Sequence, residues 1–166
     1  MRKIVLSVSI VFFASVAFSQ ADSVQAPYKK FPSFPPAKIL LPDSATYFTK
    51  ADLDKKKPVM LMLFNPGCSH CQHETEELTK KIDDFKNIQI IMATSMPFDS
   101  MMSFRKKYGL EKYPNIIVGQ DIHYFLISFY MIHNLPFLAF YNKKKEPISV
   151  FEGGLPMDRI LEEFKK

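Results

Sequence analysis

Apolar runs alternate with segments of helical periodicity from residue 59 onward, and this alternation limits the fold more than any other feature of the sequence. Val59–Phe64, Ile88–Met92 and Asn115–Val118 are rich in apolar side chains and are typical of strands buried on both faces. Ser69–Phe85 and Pro97–Tyr108 instead place their apolar residues on one helical face. Strands and helices that alternate over short connections predict an α/β fold.

The last third of the chain adds an antiparallel element. Phe137–Tyr141 and Ile148–Phe151 flank a lysine-rich turn and predict a hairpin, which makes the central sheet mixed. Asp121 is placed to cap a short apolar helix that ends near Ile132. The apolar residues after Pro156 predict a closing amphipathic helix.

The region before residue 37 is rich in proline and predicts an extended lead-in over residues 20–36, because proline disfavours helix and removes a backbone donor. Ile39–Leu41 and Tyr47–Phe48 predict two short strands, joined by a turn, that extend the sheet. The sequence therefore predicts one α/β domain over residues 37–166, with a mixed central sheet flanked by helices and an N-terminal strand extension.

Residues 1–19 have the pattern of a secretory signal peptide. Arg2 and Lys3 precede the apolar run Ile4–Phe18, and small residues at positions 17 and 19 favour cleavage before Gln20. An uncleaved membrane anchor is the alternative, but a run of this length is short for a bilayer core of about 30 Å. We expect the mature protein to lie outside the cytoplasm, in the periplasm, where thiols can be oxidised.

Composition excludes several classes of protein. The net charge of +5 is mild, and the basic runs Lys55–Lys57 and Lys143–Lys145 lack the accompanying basic helix or strand of a nucleic-acid interface. Two cysteines in 166 residues do not build a disulfide-rich scaffold. We expect no nucleic acid partner and a monomeric protein.

The segment Cys68–Cys71 carries the chemistry that the sequence predicts most directly. The two cysteines are separated by Ser69 and His70, at the point where the first long strand passes into a helix. A helix N-terminus stabilises a thiolate, so Cys68 is predicted to be exposed with a low pKa and Cys71 to be a more buried resolving thiol. His70 adds a possible positive charge and a donor beside the Cys68 sulfur, which would favour the reduced form.

Three other interpretations use the same residues. A purely structural disulfide across so short a loop would remove little chain entropy. Zinc has four possible ligands in Cys68, Cys71, His70 and His73, but the usual second half-site is missing. Copper delivery would recruit His133 or Met96 as added ligands. We expect no resident metal and no cofactor other than a redox-active disulfide between Cys68 and Cys71.

The strand Val59–Phe64, the Cys68-x-x-Cys71 helix start and the later segment Asn134-Leu135-Pro136 before a strand together resemble the thioredoxin fold, over about residues 37–166. The N-terminal extension, the separation of 68 positions between Cys68 and Pro136, and the sequence Cys68-x-x-Cys71-x-x-Glu74 make the chain similar to the extracytoplasmic TlpA/ResA-like branch. These features differ from those of plain thioredoxin.

The resemblance implies roles for several residues. It implies a cis bond before Pro136, with Leu135 and Asn134 presenting their backbone to an incoming peptide. It also implies that Glu74 accepts a proton from Cys71, although an acid in the first turn of a helix can simply offset the helix dipole.

The sequence departs from the family pattern at three points. Gly67 replaces the usual aromatic residue before the first cysteine, the chain has no tryptophan, and Met62 replaces a buried acid of thioredoxin. His70 is a feature shared with DsbA-type oxidases, but the helical insertion of those proteins is missing. We nevertheless expect an extracytoplasmic thiol–disulfide oxidoreductase that acts on protein disulfides, as a reductant rather than an oxidant. The resemblance further implies a membrane-embedded electron donor.

Overall fold

A computed structural model describes residues 25–166 of the chain; the predicted signal peptide lies outside the described residues. The strands are β1 (Ile39–Leu40), β2 (Tyr47–Phe48), β3 (Val59–Leu63), β4 (Gln89–Thr94), β5 (Ile116–Gln120), β6 (Phe137–Tyr141) and β7 (Pro147–Glu152). The α-helices are α1 (Pro27–Lys30), α2 (Ser69–Lys80), α3 (Phe98–Lys107), α4 (Phe125–Tyr130) and α5 (Met157–Glu163). The order of elements confirms the predicted α/β organisation.

All seven strands belong to one mixed sheet in the order β2-β1-β5-β4-β3-β6-β7. Strands β3, β4 and β5 are parallel, whereas β6 is antiparallel to β3 and pairs with β7 in the predicted hairpin. The short pair β1–β2 adds to the far edge through β5 and forms the predicted extension. Strand β3 therefore lies inside the sheet, and its C-terminal end is the point from which α2 departs.

The sheet buries side chains on both faces, as the continuous apolar runs predict. Met60 and Met62 of β3 pack into one cluster with residues of α2, α3 and α5. Leu61 and Leu63 point to the opposite face and pack with residues of α4 and of the N-terminal segment. Alternation along the strand places successive side chains on opposite faces, so α2 is fixed against only one of the two clusters.

Two local predictions need correction. The extended conformation predicted for the proline-rich lead-in is wrong at Pro27–Lys30, which forms the helical turn α1. Proline is accepted there because the N–H that it lacks would have no helical partner in the first turn. The helical segment predicted over Ser69–Phe85 is divided, since α2 ends at Lys80 and a separate 3₁₀ turn spans Ile82–Phe85.

The lead-in also contacts the domain. Phe34 is buried, its ring meets that of Tyr141 at 5.2 Å, and its N–H donates to the carbonyl of Lys145. Tyr28 of α1 packs against Tyr130 with ring centroids 5.4 Å apart.

Within residues 25–166, the helices are all too short or too polar to span a bilayer.

Candidate redox-active site

The two cysteines lie at the start of α2, directly beyond the C-terminal end of β3. Cys68 is the N-cap residue of the helix, with extended backbone angles, and its side chain is partly exposed. Cys71 lies one turn further along the helix and is fully buried in the cluster shared by α2, α3 and α5. Both are free thiols. The predicted burial of the second cysteine is confirmed, whereas the first, which was predicted to be exposed, is only partly exposed.

The turn between β3 and α2 is held by two residues that the sequence analysis did not select. The Asn65 carbonyl accepts the N–H of Cys68 at 3.0 Å, and its side-chain oxygen accepts the N–H of Gly67 at 2.8 Å. Gln72 donates from its side chain to the carbonyl of Pro66 at 2.8 Å. An Asn-Pro-Gly sequence after a strand is a turn signal, and it was the available sign of this support.

The surroundings of Cys68 favour its thiolate. Partial burial opposes ionisation, but hydrogen bonds from the N–H and thiol of Cys71 and from the N–H of His70 outweigh it and lower the pKa of Cys68. The first turn of α2 contains no acidic residue, so the positive end of the helix is not neutralised there. The sulfur of Cys68 is therefore the more nucleophilic of the two at neutral pH.

Cys71 has the opposite chemistry. Burial is the main cause that raises the pKa of Cys71 to about 12, and the nearby Cys68 sulfur adds to it. The thiol of Cys71 therefore retains its proton at neutral pH, and it must lose that proton before the sulfur can act as a nucleophile.

Glu74 is buried on the same helix, three residues after Cys71, and lies beyond the first turn in which the sequence analysis placed it. Its carboxylate accepts the N–H of Leu155 at 3.3 Å and lies against the backbone of Gly154. Burial is the main cause that raises the pKa of Glu74 to about 7. A carboxyl group with this pKa exchanges a proton near neutral pH, which an exposed glutamate that merely offsets the helix dipole would not do.

The histidines of α2 lie at its surface. His70 and His73 are exposed, and His70 contributes to the Cys68 pKa through its backbone N–H. The proposed role of the His70 side chain stays a prediction. Among residues 25–166, no three side chains of histidine, cysteine, aspartate or glutamate come together in a way that could hold a metal ion. The four-ligand zinc arrangement considered from the sequence is therefore not assembled in this part of the chain.

The segment before β6 lies next to the first cysteine. The bond between Leu135 and Pro136 is cis, the geometry that the resemblance implies. The thiol of Cys68 donates to the carbonyl oxygen of Leu135 across 3.8 Å. Folding thus brings Cys68, Leu135 and Pro136 together where the C-terminal end of β3 adjoins the start of β6.

Glu152, at the end of β7, is a third residue that the sequence analysis missed. Its carboxylate accepts the N–H groups of His133 and Asn134 and the side-chain amide of Asn134. Burial is the largest single influence and opposes ionisation of Glu152, but these hydrogen bonds together outweigh it and hold its pKa below the ordinary value. No local pattern marks this glutamate, since its partners are far away in the sequence.

Comparison with known proteins identifies the family and the fold of the chain. A family model for the AhpC/TSA family matches residues 28–148. No sequence among curated proteins matches the chain. Among solved structures, a secreted disulfide oxidoreductase of Mycobacterium tuberculosis, described as homologous to E. coli DsbE, is similar with a TM-score of 0.64 and 19% identity. That match covers 77% of this chain and 93% of the other.

Two further structures have the same fold. StoA from Bacillus subtilis matches with a TM-score of 0.58 and 16% identity, over 78% of this chain and 97% of that chain. An exposed lipoprotein thioredoxin of Streptococcus pneumoniae matches with a TM-score of 0.55 and 22% identity, over 76% of this chain and 98% of that chain. Because the family match spans most of the sequence, the chain belongs to the AhpC/TSA family, as a thioredoxin-like thiol–disulfide oxidoreductase.

Proposed function

We propose that this protein reduces disulfide bonds of client proteins outside the cytoplasm. One observation carries the proposal: two thiols at the start of one helix have opposite environments, with Cys68 accessible and its pKa lowered, and Cys71 buried and its pKa raised. A two-step dithiol reductant needs this difference, because one sulfur must attack the client disulfide as a thiolate. The other must remain a thiol until the mixed disulfide has formed.

In the first step, the Cys68 thiolate attacks one sulfur of a client disulfide. The client S–S bond breaks, a mixed disulfide forms between Cys68 and the client, and the second client sulfur leaves as a thiolate and takes a proton from water. The Leu135 carbonyl lies beside the Cys68 sulfur, which supports Leu135 and Asn134 as the residues that meet the client backbone.

In the second step, Cys71 loses its proton and attacks the Cys68 sulfur. The mixed disulfide breaks, the Cys68–Cys71 disulfide forms, and the remaining client sulfur leaves as a thiolate. The client has then gained two electrons and the protein has lost them. Glu74 is the proposed acceptor of the Cys71 proton, because it is the buried acid on the same helix and has a pKa of about 7.

Glu74 has a route to solvent along which that proton can leave. A cleft of about 430 Å³ separates α2 from the start of α5, and Glu74 lines it together with His73, Glu77 and Lys81. The opposite wall contains Asp158, which forms a salt bridge of 2.8 Å with Lys81. The buried carboxyl group can therefore exchange its proton with water through this cleft, away from Cys68 and Leu135.

The proposed location rests on residues 1–19 as a signal peptide, and one solved neighbour is described as secreted and another as an exposed lipoprotein. We further propose that the protein is a monomer and that a membrane-embedded donor returns two electrons to the Cys68–Cys71 disulfide. Expression of the full chain in a bacterial host, followed by fractionation and N-terminal sequencing, tests the location. A protein retained whole in the cytoplasm would contradict it.

The catalytic proposal is tested with single-cysteine variants in an insulin-disulfide reduction assay. Cys68→Ser should abolish turnover, whereas Cys71→Ser should accumulate a mixed disulfide that is seen on a non-reducing gel. Because the chain has only two cysteines, any trapped adduct of Cys71→Ser must involve Cys68. Wild-type turnover by Cys68→Ser would refute the mechanism.

The direction of electron flow is tested by the reduction potential of the Cys68–Cys71 pair. A value of about −270 mV, as in thioredoxin, agrees with a reductant, and a value of about −120 mV would instead indicate an oxidase.

Titration of the reduced protein with Cu(I) against a competing chelator tests the metal-handling alternative. Tight stoichiometric binding without disulfide exchange would favour that alternative.

A further inference from the structure

The end of β7 is attached to the segment that precedes β6 by a single carboxylate. Glu152 accepts the N–H of His133 at 3.2 Å, the N–H of Asn134 at 2.9 Å and the side-chain amide of Asn134 at 3.0 Å. Three donors from two consecutive residues therefore converge on one side chain. Hydrogen bonds to an ionised acceptor are among the stronger ones in proteins.

The strand pairing places Glu152 where it can do this. Glu152 lies opposite Phe137 in the β6–β7 ladder, and the next residue, Gly153, donates its N–H to the carbonyl of Pro136 at 2.8 Å. The segment from His133 to Pro136 is thus held at both ends by consecutive residues of β7 and the turn after it. Between these two attachments lies Leu135, whose carbonyl oxygen meets the Cys68 thiol.

We propose that Glu152 is a positioning residue for client recognition, whose carboxylate holds the His133–Asn134 backbone so that Leu135 faces the client beside Cys68. This inference rests on the proposed function, because it assumes that Leu135 and Asn134 meet the client backbone. The hydrogen bonds of Glu152 are to His133 and Asn134 and not to Cys68 or Cys71, so Glu152 acts through the segment that it holds. Loss of the carboxylate leaves Cys68 in place and weakens only the alignment of a peptide against it.

The chain offers a matched control at the other end of the same hairpin. Glu146, in the turn between β6 and β7, also accepts an asparagine side-chain amide, from Asn142 at 2.8 Å, and is also exposed. Glu152→Gln and Glu146→Gln therefore change the same kind of group in the same hairpin. They differ in the segment that the glutamate binds, which is the one before β6 for Glu152 and the β6–β7 turn for Glu146.

The experiment measures two reactions of each variant. One is kcat/KM for a peptide disulfide, which needs the aligned segment, and the other is the rate constant with the small disulfide DTNB, which needs only an exposed Cys68 thiolate. The ratio of the two should fall about fivefold in Glu152→Gln, mainly through a higher KM. It should remain unchanged in Glu146→Gln. Urea unfolding of both variants establishes that each is folded under the assay conditions.

Coupling to Asn134 provides a second readout. In an Asn134→Ala background, Glu152→Gln should lower the ratio by a smaller factor than in the wild type, because one of the three donors has already been removed. The inference would be overturned if the ratio were unchanged in Glu152→Gln, or if it fell equally in Glu152→Gln and Glu146→Gln. It would also be overturned if the effects of Asn134→Ala and Glu152→Gln were fully additive. A wild-type protein that reduces no peptide disulfide would instead refute the proposed function, so the two failures are distinguishable.

Discussion

The sulfur of Cys68 lies 3.8 Å from the carbonyl oxygen of Leu135, although 67 positions separate the two residues in the sequence. The sheet produces this contact, because β3 and β6 are antiparallel neighbours in which Leu63 pairs with Phe137. The end of β3 and the beginning of β6 therefore lie side by side at the same end of the sheet. A peptide that pairs with the backbone before β6 would be next to the reactive thiol.

Alkylation should distinguish the two thiols by pH. The lowered pKa of Cys68 predicts that iodoacetamide labels the reduced protein once, with a midpoint at a lower pH than for an ordinary thiol. Cys71, with a pKa of about 12, should remain unlabelled through pH 9. Mass spectrometry of quenched samples measures both sites. Equal labelling of the two cysteines would contradict the difference in their environments.

The stability of the protein should depend on pH through Glu74. Its pKa is raised from 4.5 to about 7 in the folded chain. Between these values the folded chain holds a proton that the unfolded chain releases, so the free energy of unfolding should fall as the pH rises from about 4.5 to about 7. Glu74→Gln lacks this dependence, and at pH 8 it should be more stable than the wild type by up to about 3 kcal/mol.

Urea unfolding between pH 4 and pH 8 measures that difference. Glu76→Gln, on the exposed face of the same helix, is the control and should follow the wild-type curve. If the free energies of unfolding of the wild type and Glu74→Gln depend on pH in the same way, burial does not raise the pKa of Glu74.

Gly154 should matter because of the space that Glu74 occupies. A Cβ at this position would lie 2.5 Å from one carboxylate oxygen of Glu74, so Gly154→Ala must shift the carboxyl group whose other oxygen accepts the N–H of Leu155. We expect a loss of about 1–3 kcal/mol in the free energy of unfolding. In a Glu74→Ala background the same substitution should cost much less, and a double-mutant cycle measures the difference. If Gly154→Ala lowered the free energy of unfolding equally in both backgrounds, the absence of a side chain at position 154 would not be needed to make room for Glu74.

Two phenylalanines of the lead-in should differ in their contribution to stability. Phe34 is 1% exposed and packs against Tyr141, whereas Phe31 is 64% exposed. Phe34→Ala should lower the free energy of unfolding by about 3–5 kcal/mol. Phe31→Ala should change it by less than about 0.5 kcal/mol. Denaturant unfolding checks both, and a neutral Phe34→Ala would mean that this part of the lead-in is separate from the core.

The elements of the domain were predictable because their signals are local. The apolar run at Val59–Phe64 and the helical pattern after Ser69 each depend on a few neighbouring residues, and both elements begin where the sequence places them. The helical turn at Pro27 was not predicted, since the same proline fits an extended chain and the first turn of a helix equally well. The packing of Phe34 against β6 depends on distant residues, and the proline-rich composition does not indicate it.

The same distinction applies to the site. The sequence by itself determined that two cysteines flank the first turn of a helix after a buried strand, because spacing and hydrophobic pattern are properties of a short segment. The tertiary structure alone decided that Glu74 is buried beside Gly154 and that Glu152 holds the segment before Pro136. Those relationships depend on which strand ends are neighbours in the sheet. Strand order is set by the packing of the whole domain, which no local stretch of sequence encodes.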